Sequence, residues 1–232
     1  MLTTTFRFFM ACSQGLPGES NDDLIQKLGV WIDMPPNEID AARTNGNVIP
    51  IAQVRVFVGV KIAPEIASQL ALLARELEQA PVKLVAAADI HLTLVPPWNE
   101  TSISEAIEKL RVTVGRFSEF ALTFQHLSYG PQAKRPRLLW VECEASNEIT
   151  TLRGALLYAY GQSDERPFRP HVTLARLRGN GSAIARRHPI GRELSFTQQV
   201  DSVELFRSPS PGATGYQILA TLRLADSPLC IS

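Results

Sequence analysis

One short pattern occurs twice and limits what this chain can fold into. His91-Leu92-Thr93-Leu94 returns 80 residues later as His171-Val172-Thr173-Leu174. In a strand, residues i and i+2 share a face, so each copy sets an imidazole and a hydroxyl on one side and two aliphatic side chains on the other. The aliphatic side suits a core. The polar sides together offer two acid/base groups and two hydroxyl donors, a set suited to gripping a phosphate.

The surroundings of the motif repeat as well. Val54, Val56, Val58 and Val60 alternate with Arg55, Phe57 and Gly59 as a strand does. Pro64 suits a first helical turn, and Ile66, Leu70, Leu73 and Leu77 fall on one helical face. Val82 to Ala86 reads as a weaker strand, and Ile90 to Val95 carries the first motif, with Pro96-Pro97 expected to end it. In the second half, Leu138 to Glu144 is a strand, Ser146 caps a helix bearing Ile149, Leu152, Leu156 and Tyr160, and the second motif follows. Strand starts differ by 84 residues and the motif histidines by 80. A unit of strand, helix and His-strand repeated at nearly constant offset is the mark of an internal duplication.

Between the units, Ser102 and Glu105 stand in capping-box register ahead of Ile103, Ile107, Leu110 and Val114, and Phe120, Leu122 and Phe124 alternate as a strand. After Gly179-Asn180-Gly181, Glu193 to Phe206 and Tyr216 to Leu224 supply further strands around a Ser208 to Gly212 loop. The fold expected is α+β: two pseudo-symmetric lobes of mainly antiparallel sheet, with outer helices, around a central cleft. Residues 1–50 do not join this pattern. A short helix fits Asn21 to Ile32, but Gly15, Pro17, Gly18, Pro35, Pro36 and the run Thr44-Asn45-Gly46-Asn47 break the segment on both sides. They read as an N-terminal extension, either disordered or upstream of the true start, ahead of one bilobal domain at 51–232.

Formal net charge is zero, yet the charge is unevenly spread. Residues 1–53 hold three basic and six acidic side chains, while residues 134–192 hold eleven basic against five acidic, net +6. A basic segment around the second motif suits an anionic ligand, with a solvated arginine-rich face as the alternative. Cys12, Cys143 and Cys230 are odd in number and scattered, which fits neither a disulfide framework nor a zinc ribbon. No apolar run reaches the roughly 20 residues that span a bilayer, and Phe6 to Cys12 is too short for a signal peptide. The expectation is a soluble cytoplasmic monomer that does not engage membranes.

Together His91-Leu92-Thr93-Leu94, His171-Val172-Thr173-Leu174, Arg135-Pro136-Arg137-Leu138-Leu139-Trp140 and Glu165-Arg166-Pro167-Phe168-Arg169-Pro170 resemble the RNA 2',3'-cyclic phosphodiesterases, historically called 2'-5' RNA ligases, of the 2H phosphoesterase superfamily. The resemblance covers roughly residues 53–224. It implies a substrate that is an RNA or oligonucleotide end bearing a 2',3'-cyclic phosphate, with His91 as general acid and His171 as the base that activates water. The implied product is a 2'-phosphomonoester. Opening a cyclic phosphodiester in line needs an acid and a base on opposite sides of phosphorus, and imidazole suits both parts near neutral pH. Thr93 and Thr173 would bond the non-bridging oxygens. Arg169 and Arg176 fit two parts equally: holding phosphate or backbone, or pairing with acidic neighbours such as Asp164 and Glu165.

Other candidates read as structural. His126 and His188 lie outside any motif, and Trp98 suits core or rim packing better than base stacking. The histidines lack companions at zinc-ligand spacing, so neither metal nor other cofactor is expected. Gly179-Asn180-Gly181 is no nucleotide loop, which argues against an ATP-driven ligase. Alternatives are a 2'-5' oligonucleotide or small cyclic nucleotide phosphodiesterase or ligase on the same fold, and a non-catalytic RNA-binding module.

Overall fold

The computed structural model describes residues 53–210 and 213–225; the extension expected at 1–50 lies outside the described residues. Strand β1 (Val54–Lys61) leads to helix α1 (Pro64–Ala74), then β2 (Val82–Leu84) and β3 (His91–Glu100). Helix α2 (Ile103–Val114) precedes β4 (Phe120–Gly130) and β5 (Leu138–Cys143). Helix α3 (Asn147–Ala159), β6 (His171–Leu177), α4 (Gly181–Arg187), β7 (Arg192–Val200), β8 (Ser202–Arg207) and β9 (Gln217–Arg223) complete the order. Every pairing between these strands is antiparallel.

The strands form two matched halves, in the order β7-β4-β5-β6 and β3-β1-β8-β9. These join as one sheet through a single pair, Leu92 with Val172, at the centre of the two motifs. Asp201 separates β7 from β8, so the stretch expected as further strands serves both halves, one strand in each. The bulges repeat too. Gly59 faces Thr93 while Val58 faces Val95, leaving Leu94 extra; Trp140 faces Thr173 while Leu139 faces Ala175, leaving Leu174 extra.

One face of the sheet is covered by helices. Ala67 and Leu70 of α1, Ala106 and Leu110 of α2, and Ile149, Leu152 and Leu156 of α3 pack with Val56, Val58, Leu92, Leu94, Val141, Val172 and Leu174 in one buried cluster. Each Val, Leu or Ile among them contributes about 1.5–3 kcal/mol relative to leaving it in water, and each Ala less. Ser102 caps α2, its Oγ accepting from the Glu105 N–H at 3.4 Å, whereas Ser146 stands at the N-cap of α3 without a side-chain cap bond.

The structure departs from the sequence reading or adds to it at three places. Pro96 and Pro97 do not end β3, which continues to Glu100. They sit opposite a register shift between Val56 and Val58, where the ladder asks for no N–H. Helix α4 was not foreseen; Asn180 caps it, its Oδ1 accepting from the Ala183 N–H at 3.0 Å. Finally, β2 leaves its own half and pairs with β6 of the other. No counterpart of β2 lies between α3 and β6, so the twofold is broken there. Among the described residues no helix is long and apolar enough to cross a membrane.

Candidate active site

Each histidine opens its strand: His91 is the first residue of β3 and His171 the first of β6. Both strands begin with the same alternation, half-buried at histidine and threonine and buried at the residues between. Leu92 and Val172 face the helices, so His91, Thr93, His171 and Thr173 all stand on the opposite face. Continuing the Leu92–Val172 register by one residue sets His91 level with Thr173 and Thr93 level with His171. The four groups form a crossed pair of pairs about the pseudo-twofold. Diagonal neighbours of this kind are about 7–8 Å apart at the backbone, which leaves space for a phosphate between the two rings.

The two rings are held alike. His91 Nδ1 lies 2.7 Å from the carbonyl oxygen of Asp89, and His171 Nδ1 lies 2.8 Å from that of Arg169. A carbonyl only accepts, so Nδ1–H is the donor in both. Nε2 is therefore the free nitrogen on each ring, a lone pair when the ring is neutral and an N–H when it is charged.

Aromatic rings floor both histidines. Phe57 lies 4.8 Å from the His91 ring, and Trp140 lies 4.4 Å from His171, at similar tilts. Phe206 stacks on Phe57 at 4.8 Å, and Tyr216 meets His91 edge-on at 4.8 Å. Phe57, Phe206 and Trp140 are buried, yet belong to no part of the helix-side cluster; they make a second apolar layer beneath the site face. Two glycines give them room. A Cβ on Gly59 would meet the Leu92 carbonyl and approach Phe206, and one on Gly130 would overlap the Trp140 ring. Trp140 Nε1–H donates to Ser128 Oγ at 3.1 Å, fixing the indole in plane.

This dry floor sets the electrostatics. Burial is the largest influence on both histidines and pushes each below the ordinary imidazole range. Their Nδ1 bonds oppose the shift; Arg176 adds to it at His91, and Arg169 adds to it at His171.

The two arginines singled out from sequence part company. Arg169 donates to Glu142 Oε1 at 2.7 Å and to the Pro131 carbonyl at 3.2 Å, and its guanidinium lies 5.1 Å from the Trp140 ring. Its acidic partner is thus Glu142, level with His171, and not Asp164, which Arg153 and Arg166 occupy. Arg176 is exposed and pairs with no acid among the described residues. The Leu174–Ala175 bulge turns it onto the face of Thr173. The corresponding position on β3 is Pro96, so only one half carries a cation there.

Other sequence candidates stand apart. His126 bonds Glu193, His188 offers its carbonyl to Tyr129, and Trp98 packs on Tyr160 at 4.7 Å while donating to Glu100. Sequence reading missed Phe57, Trp140, Tyr216 and Glu142; for the first two, the signal was an aromatic on the strand that each His-strand pairs with. Two surface cavities, of about 390 and 510 Å³, are lined by neither histidine.

A family model described as the 2'-5' RNA ligase superfamily matches residues 62–210. The RNA 2',3'-cyclic phosphodiesterase of Bacillus subtilis (strain 168) is 28% identical over 138 residues, 55% of this chain and 74% of its own length. That of Archaeoglobus fulgidus is 24% identical over 137 residues, 56% of this chain and 77% of its own. Among solved structures, Escherichia coli LigT complexed with 3'-AMP superposes with a TM-score of 0.61 at 22% identity, covering 75% of this chain and 100% of that one.

Proposed function

This chain belongs to the 2'-5' RNA ligase superfamily, and from that membership and its paired histidines we propose that it hydrolyses RNA ends bearing a 2',3'-cyclic phosphate to 2'-phosphomonoesters, without a metal. One observation carries the reading: two imidazoles related by the twofold both spend Nδ1–H on a backbone carbonyl and present Nε2 on the same face. Acid and base of an in-line displacement must flank phosphorus from opposite sides. The names of the relatives, RNA 2',3'-cyclic phosphodiesterases, support the substrate class.

In this mechanism neutral His171 takes a proton from water at Nε2 while the water oxygen attacks phosphorus. The P–O3' bond breaks, and protonated His91 gives its Nε2 proton to the departing O3'. Phosphate stays on O2'. Thr93 and Thr173 hydroxyls donate to the two non-bridging oxygens, and Arg176 supplies positive charge where negative charge gathers. The apolar floor strengthens each of these interactions by excluding water beneath the rings. Burial favours neutral rings, which suits the base directly. For the acid, the dianion-like transition state offsets Arg176 and draws a proton onto His91.

The test is product analysis. Phosphorus NMR of a 2',3'-cyclic nucleotide after incubation with the protein should show the 2'-phosphate as the main product. A predominant 3'-phosphate would mean that the substrate binds turned around or that His91 and His171 exchange roles, and no turnover of either this nucleotide or an oligonucleotide ending in a 2',3'-cyclic phosphate would remove the enzymatic reading in favour of an RNA-binding module.

A further inference from the structure

The break in the twofold at β2 has a chemical result. Direct partners across an antiparallel ladder point the same way, and β2 brings Lys83 opposite Arg176 on β6. Arg176 lies on the site face beyond Thr173 because of the Leu174–Ala175 bulge. Two residues further, Arg178 takes the same side, its backbone N–H donating to the Pro81 carbonyl and carrying the ladder one step past β6. At the strand rise Arg178 stands about 7 Å beyond Arg176, the scale of one nucleotide step.

All three cations are exposed, and none pairs with an acidic side chain among the described residues. Four cations of the same basic segment are paired, Arg153 and Arg166 with Asp164, Arg169 with Glu142 and Arg192 with Glu76, while Lys134, Arg135, Arg137, Arg186 and Arg187 are exposed without an ion pair among the described residues but stand on neither β2 nor β6. The matching positions of the other half, 80 residues earlier, are Pro96 and Trp98, so the strip leaves the site on one side only. Like charges directly opposite one another across a ladder destabilise it, and a bound polyanion removes that penalty.

We propose that Lys83 and Arg178, continuing from Arg176, form a phosphate track for the backbone of single-stranded RNA leading into the site, so that the preferred substrate is an oligonucleotide end and not a mononucleotide. This rests on the function proposed above. The track lies on an open sheet face, where a strand can run outward past β2, and phosphate contacts of this kind hold RNA without reading its sequence.

The experiment compares the full chain with its K83A/R178A and K83E/R178E variants on two substrates: a 5'-labelled hexaribonucleotide ending in a 2',3'-cyclic phosphate, and a 2',3'-cyclic mononucleotide. The alanine pair should lower kcat/KM on the hexamer about tenfold, the glutamate pair further, with mononucleotide turnover within about twofold of wild type. Equal losses on both substrates, or no loss on the hexamer, overturn the track. Fluorescence anisotropy of the same hexamer, read between about 50 and 200 mM salt, gives a measure independent of turnover: losing two contacts should flatten the slope of log K against log salt by about 1.4. If neither substrate is turned over, the proposed reaction fails while this binding result still decides the track; an unchanged slope and affinity reject it.

Discussion

Replacing Gly59 by alanine adds one methyl group, and the structure assigns it a large effect. The new Cβ would run into the carbonyl oxygen of Leu92, with Phe206 closing the space behind it. The obstacle is backbone, so no rotamer relieves it; β1 and β3 must separate by roughly 1 Å to restore ordinary contact. Overpacking of this sort costs about 1–3 kcal/mol, which at about 2–4 °C per kcal/mol lowers Tm by roughly 2–12 °C. Leu92 sits between His91 and Thr93 and is the residue that joins the two halves through Val172. A shift near 1 Å there displaces half the site, and misplacement on that scale costs about 10²-fold in rate.

Gly154 provides the control. It lies exposed in α3 with nothing near its added Cβ, so alanine there should stabilise by about 0.5–1 kcal/mol. Thermal unfolding by circular dichroism, followed by turnover well below Tm, reads both effects. Opposite signs at the two glycines support the close approach at the centre of the site. A Gly59→Ala protein with wild-type Tm and full activity refutes it.

Arg176→Ala should lower kcat/KM on a cyclic mononucleotide and move the alkaline limb of its pH profile upward, because a cation that depresses His91 has gone; an unmoved limb separates Arg176 from His91. Arg169→Ala should have the smaller effect on rate, since Arg169 is already bound to Glu142; a larger loss than at Arg176 would reverse the assignment. Saturating EDTA should leave turnover intact, and loss restored by a divalent ion would overturn the two-histidine mechanism. Cys143, whose thiol burial pushes up to about 12, should resist alkylation at neutral pH until the protein unfolds, as peptide mapping would show; ready modification in the native state contradicts its place in the core.

The centre of the candidate site was legible because two period-2 strands with the same residues at the same spacing leave few arrangements open. His91, Thr93, His171 and Thr173 share a face for the reason alternation gives. What escaped depends on long-range pairing. That β2 crosses to β6 follows from which edge of the sheet is vacant, a property no three-residue strand encodes. Pro96 and Pro97 looked like a strand end because a proline removes a donor, yet at a bulge that donor has no partner to lose. Arg169 was matched with acids near it in sequence, while Glu142 reaches it from the neighbouring strand. Phe57 entered the sequence reading only as part of an alternating strand and Trp140 only as the end of the Arg135 to Trp140 motif; the fold shows both under the histidines.

The central claim is that His91 and His171 act as an acid and a base, and the pH dependence of kcat/KM for wild type, His91→Ala and His171→Ala tests it most directly. The acid must be charged and the base neutral, so the wild-type profile should be bell-shaped. With both rings pushed down by burial, its optimum should lie on the acid side of about 6.5. Each variant should lose at least about 10² in rate. His91→Ala should lose the alkaline limb, and His171→Ala the acid limb. A flat wild-type profile with chemistry shown to be rate-limiting, or an intact bell in either variant, would contradict it.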